Sequence, residues 1–212
     1  MQKFIPIFPL GMVAYPGEQL NLHIFEERYK QLINECVREN KSFGIPPVEG
    51  KEVLLYGTEL LVTEVVKKYD NGELDVRVEG TGVFRILEVI HEIPEKLYMG
   101  AIVTVLDNIN DRHMPTRERL RDAVNELFAL LDIDKRILPE EQAYYSYALA
   151  HLVGFDLLQE FELLKHQSES VRQRIILEHV RNLLPSVRSV HDIRERARLN
   201  GQFRMINPPD GI

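Results

Sequence analysis

Leu20-Asn21-Leu22-His23-Ile24-Phe25-Glu26-Glu27-Arg28-Tyr29-Lys30-Gln31-Leu32-Ile33-Asn34-Glu35-Cys36-Val37 changes period half-way along. Its first five residues alternate apolar and polar, as a half-buried strand does. From Tyr29 the apolar residues recur at Leu32, Ile33, Cys36 and Val37, which makes one stripe on a helix. The stretch therefore predicts a strand, a sharp corner and a helix over about residues 26–39. On the N-terminal side, Phe4-Ile5-Pro6-Ile7-Phe8-Pro9-Leu10 is apolar but broken by prolines. Proline supplies no ladder donor, so this reads as an edge strand or an extended lead-in.

Working towards the C-terminus, Val53–Tyr56 and Thr58–Val66 read as strands. Asp70-Asn71-Gly72 is a hairpin signal, because Asn-Gly takes up the positive φ angles of a tight turn. Leu74, Val76 and Val78 then alternate with charged residues, and Val83–Ile90 and Leu97–Leu106 complete a set of short strands. Such a set suggests a small barrel or sandwich. After residues 107–111 the period becomes helical. Thr116 is a candidate cap for a helix carrying Leu120, Ala123, Val124, Leu127, Leu130 and Leu131. Pro139 suits the start of a second helix ending at Gly154, and Asp156 the cap of a third. Ser170 with Gln173 fits a capping box for a fourth, which Pro185 should kink or end. A last helix should stop near Asn200-Gly201. The organisation expected is a β subdomain over 1–108, a helical subdomain over 109–204 and a loose tail over 205–212.

Charge is uneven. Residues 1–108 hold 11 Lys and Arg against 17 Asp and Glu, and residues 109–212 hold 15 against 16. An acidic surface repels phosphate backbones, so nucleic acid is not the expected partner. The exception is the run Arg188, Arg194, Arg196, Arg198 and Arg204, which reads first as a solvated helix face. No stretch approaches the roughly 18 unbroken apolar residues of a membrane span. A single cysteine and the lack of a secretory leader pattern point to the cytoplasm.

Catalytic signatures are missing. There is no phosphate-cradling Gly-x-x-x-x-Gly-Lys-Ser/Thr loop and no Gly-x-Ser-x-Gly elbow. Ser42, Ser146, Ser168, Ser170, Ser186 and Ser189 lack the setting of an activated nucleophile, and Ser168 and Ser170 read as helix caps. The seven histidines show no metal-ligand spacing, and Cys36 lies on a buried stripe, so neither a metal nor a cofactor is expected. Carboxylates are plentiful, but nothing in the sequence selects an acid and a base.

Several of these segments resemble the N-terminal domain of Lon proteases. Ile7-Phe8-Pro9-Leu10, Pro16-Gly17 and Leu22-His23-Ile24-Phe25-Glu26-Glu27-Arg28-Tyr29 are similar to that domain's opening. Gly57-Thr58, Val62–Val66, Asp70-Asn71-Gly72, Val78-Glu79-Gly80 and Val83-Phe84-Arg85-Ile86 resemble its next block, although Val83 stands where the family often has an arginine. Residues 168–174 resemble the helix start near its end, and the likeness covers about residues 3–185. It implies an α+β fold: a PUA-like six-stranded pseudo-barrel with one packed helix, then a helical subdomain. It also implies a non-catalytic module that engages polypeptide, since Lon's ATPase and Ser-Lys protease domains are separate from it. The likeness extends to single-domain bacterial proteins that keep only this part.

That resemblance leaves the residue roles to physics. Leu22, Ile24, Phe25 and Tyr29 read as core. Glu26 and Arg28 read as a charge lock on the corner, pairing with their neighbours or with Arg85. Gly57, Gly72 and Gly80 read as turn or bulge positions. Two binding routes are open: strand addition to an uncovered barrel edge, or an apolar groove between barrel and helices. Phe8, Leu10, Tyr15, Tyr98 and Met99, with Tyr144, Tyr145 and Phe155 on the helical side, are the candidates to line that groove. Expected partners are unfolded or partner polypeptides, with an ATP-dependent protease in trans as a further candidate; self-association is left open. The competing classes are an RNA-associated PUA-like protein and an unrecognised hydrolase.

Overall fold

The computed structural model describes residues 1–111, 113–133 and 145–206, with side chains up to Arg198. Eight strands and one helix come first: β1 (Gln2–Ile7), β2 (Gln19–Ile24), α1 (Glu27–Glu39), β3 (Phe43–Ile45), β4 (Val48–Glu49), β5 (Glu52–Val53), β6 (Tyr56–Lys68), β7 (Leu74–Ile90) and β8 (Met99–Leu106). The helices α2 (Met114–Leu130), α3 (Tyr145–Ala150), α4 (Leu157–Lys165) and α5 (Glu169–Ile206) follow.

Six strands form one sheet in the order β2-β7-β6-β3-β1-β8, and β7 also pairs with β8. The second pairing closes the sheet on itself. Closure is possible because β7 is one long strand, where the sequence suggested two. Its first half pairs with β2 and β6, and its second half with β6 and then β8. The register shift between Glu59 and Leu60 leaves Thr81 as an extra residue opposite, so β7 bends there without breaking. Gly80, beside it, is buried under the chain that leads into β2. A Cβ there would lie 2.1 Å from the Tyr15 carbonyl oxygen. Gly80 and Gly57 are thus close-approach positions within strands, whereas Gly72 (φ 81°) is the turn glycine expected.

β1 is not simply an edge strand. It pairs with β8 along its whole length, and with β3 at Ile7 alone. The Phe8 N–H reaches the Gly44 carbonyl at 2.7 Å, so the position two residues back, Pro6, faces the same side beyond the reach of β3. The missing proline donor therefore falls where no strand asks for one. Ile5, Ile7, Phe84, Ile86, Ala101 and Val103 fill one part of the interior. α1 plugs the rest, burying Tyr29, Leu32, Ile33 and Cys36 against Phe8, Phe43, Leu74, Val76 and Val78.

The helical part starts earlier than Thr116: His113 is the N-cap and Pro115 sits in the first turn of α2. Asp156 caps α4 with Gln159 in a full capping box. At α5, the Ser168 hydroxyl accepts from the Val171 N–H and Asp111 accepts from the Ser170 N–H, while Gln173 turns inward to Glu169. Pro185 neither ends nor interrupts α5, which spans 38 residues and continues past it to Ile206. Pro185 is on the solvent face, where water can take up the carbonyl that lost its donor. Gly154 (φ 78°) follows α3; the segment around Pro139 lies outside the described residues. Val13, Tyr15 and Val83 from the barrel share one core with α2, α3, α4 and α5. Among the described residues no helix is long and apolar enough to cross a membrane.

Candidate functional site

Where β3 ends, the barrel seam opens. β3 spans only three residues, and it pairs with β6 no further than Leu60 and with β1 only at Ile7. Among the described residues, no strand lies against β6 on that side beyond Leu60, or against β1 on that side before Ile7. The C-terminal end of α1 and the Asn40–Ser42 loop stand in the gap. Asn40 adopts a left-handed conformation (φ 49°) that ends α1 and turns the chain into β3.

A cleft of about 640 Å³ occupies this seam, walled by residues 3–6 of β1, by Glu59 and Leu61 of β6, and by Glu35 and Glu39 of α1. A smaller hollow of about 110 Å³ continues from it along β6, where Val37, Leu61 and Val65 meet. Phe4, Val37, Leu61 and Val65 are 48%, 45%, 37% and 40% exposed, so apolar surface lines both stretches. The polar rim is held in place. Lys3 donates to Glu59 at 2.6 Å, and the Ser42 hydroxyl donates to the same carboxylate oxygen. On the opposite wall Lys96 and the Tyr98 hydroxyl both donate to Glu35, at 2.8 and 2.5 Å. Burial works to raise the Glu35 carboxyl, but these hydrogen bonds outweigh it and hold it below the ordinary value. Burial, then the hydrogen bond to Glu35, pushes the Tyr98 hydroxyl well up. Cys36 is pushed up to about 12, first by burial, and packs as a small apolar residue.

The groove residues expected from sequence are scattered. Phe8 is buried with its ring stacked on Tyr29 at 3.8 Å. Tyr15 and Tyr145 are buried in the core shared with the helices, and Leu10, Met99 and Phe155 are half-buried at separate places. Large apolar side chains near loops pack inward when a second layer covers them, and here helices do so. Tyr144 lies outside the described residues. Tyr98 alone of the set reaches the cleft. Phe25, expected in the core, is 60% exposed. It follows the inward-facing Ile24 at the corner and rests instead beside the His23 ring. Glu26 and Arg28 pair directly at 2.7 Å, and Arg85 is exposed and takes no part. Pro9 is half-buried and Phe84 fully buried against Gly44 and Gly57.

No described serine sits in a nucleophilic setting. Ser146 is fully buried, donating to Glu169 at 2.6 Å and accepting from Arg172 at 2.8 Å. Among the described residues no three His, Cys, Asp or Glu side chains are grouped to hold a metal ion.

Residues 5–182 match the family described as the ATP-dependent protease La (LON) substrate-binding domain. The chain belongs to the Lon substrate-binding domain family. A crystal structure of a Lon N-terminal domain protein from Xanthomonas campestris is similar, with 25% identity and a TM-score of 0.66 over 83% of this chain and 98% of that one. The N-terminal domain of Mycobacterium avium complex Lon protease superposes with a TM-score of 0.63 over 84% and 98% of the two chains. At 14% identity that second likeness speaks for the fold alone. No curated protein matches in sequence.

Proposed function

We propose that this chain is a non-catalytic module that binds extended polypeptide segments along the seam cleft. Strand addition at the free edges of β1 and β6 supplies main-chain hydrogen bonds, which depend little on client sequence. Phe4, Val37, Leu61 and Val65 supply apolar contacts for alternate client side chains. The observation that carries this reading is the open stretch of β6 beyond Leu60 beside an apolar-lined cleft. An uncovered edge flanked by apolar side chains is the feature soluble proteins ordinarily block. Family membership supports the same reading, with an ATP-dependent protease acting in trans as the partner that would receive the bound chain.

The test is fluorescence anisotropy with labelled, permanently unfolded casein as probe. Leu61→Lys with Val65→Lys puts the edge-blocking residue on exposed positions, and is expected to weaken binding about tenfold or more. Unchanged affinity with unchanged thermal melting would move the binding surface elsewhere.

A further inference from the structure

α5 outruns the body that it packs on. Among the described residues Leu184 is its last buried one, and Val187 is half-buried. From Ser189 to Ile206 the helix continues for roughly 27 Å at 1.5 Å per residue. At about 100° per residue, Val187, Val190, Ile193 and Ala197 fall on one side of this arm. Val190 and Ile193 are 50% and 63% exposed. Isolated exposed valines need no explanation, but a stripe at helical spacing does. The charges are sorted as well. Arg194 stands within the stripe and Arg198 on its rim, whereas Asp192 and Glu195 point to the far side. Arg198 is held only loosely by Glu195, at 3.7 Å, and Arg194 has no partner among the described residues. The apolar side of the arm thus carries cations and no carboxylate, in a chain of net charge −7.

We infer that the arm of α5 is a docking surface for an acidic amphipathic helix of another protein, separate from the seam cleft. Charge decides the occupant. A second copy of this chain would bring the same arginines to the stripe and no carboxylate to meet them. A bilayer favours broad apolar faces with large side chains, and this stripe is narrow and built of Val, Ile and Ala. A partner helix with leucines along one face and glutamates beside them meets both features, apolar contact at the centre and arginine–carboxylate pairs at the rim.

The probe is a synthetic helix of three Leu-Glu heptads, titrated into the full chain by anisotropy at low salt. Its twin carries Lys for Glu. The Leu-Glu helix is expected to bind about tenfold or more tightly than its twin. Ile193→Glu and, separately, Arg194→Glu should each reduce that binding by about tenfold. Both positions are exposed, so thermal melting should not change, and binding of unfolded casein at the seam should persist. Equal binding of the two helices, or binding unaffected by either substitution, overturns the proposal. So does retention on phosphatidylserine vesicles that Ile193→Glu abolishes, or dimerisation in sedimentation equilibrium that the same substitution abolishes.

Discussion

The barrel and the helical part are stabilised in different ways. In the barrel, Thr58 is the only polar side chain found buried among the described residues, and it gives its hydroxyl to the Ala14 carbonyl. The helical part buries Arg117, Ser146, Glu169, Arg172 and Gln173. Arg172 is fully enclosed and donates to the His166 and Gln167 carbonyls, to Asn108, to Ser146 and to Glu169. Outside the open seam, the barrel strands satisfy one another's backbone groups and need no such help. Short helices joined by irregular turns leave carbonyls stranded, and here one guanidinium gathers them. The difference teaches where each part is fragile: the barrel to added volume, the helices to a lost charge.

Arg172→Met should have the largest effect. It leaves the Glu169 carboxylate, 1% exposed, without its cation, and removal of one partner of a buried pair costs about 3–5 kcal/mol. Urea unfolding checks this. A loss below about 1 kcal/mol would mean that the network is not what holds the helices. The barrel is probed with Gly80→Ala, whose new methyl meets the Tyr15 carbonyl, against Gly82→Ala, where nothing lies within 4 Å. The first should destabilise by about 1–3 kcal/mol and the second by less than about 1 kcal/mol. Equal losses would show that the strand tolerates volume at the bend.

The smallest effect concerns the joint between the two parts. His151, after α3, lies 2.7 Å from Glu160 of α4 and 3.3 Å from Glu18 of the barrel, over the Tyr15 ring. The hydrogen bond to Glu160, then that to Glu18, raises its pKa from 6.5 to about 10. A raised folded-state value means that the stabilisation is complete below pH 6.5 and is lost as pH climbs towards 10. The side chain is one-third exposed, so solvent screening makes the effect small. Melting temperature should fall over that pH window more in the wild type than in His151→Gln. Parallel curves would show that the clasp contributes nothing.

Much of the fold was legible in the sequence because its signals are local. The period change after Ile24, the Asn71-Gly72 turn and the Asp156 cap each act within a few residues, and each forms as read. What escaped was decided at long range. Pro185 reads as a kink or a stop; the helix does not stop there, because the carbonyl deficit falls on the solvent side. Val76 and Ile86 read as belonging to separate strands, but one bulge lets β7 continue between them. The cleft was the least legible feature, because it exists where β3 ends early, and no residue type announces a missing neighbour. Tyr98 reads as a binding residue for its size; it reaches the cleft through its hydroxyl, held by Glu35. Leu61 and Val65 looked like ordinary strand residues, and only the open edge beside them makes them candidates.

The pairing of β1 with β8 has a consequence for biosynthesis. β1 is made before the other barrel strands, yet its full-length partner is the last of them to be made. Until Met99–Leu106 has emerged, an apolar, proline-marked segment has nowhere to go, and the nascent sheet keeps two unfinished borders. The barrel can therefore close only after synthesis has passed Leu106, when its first strand at last meets its full-length partner.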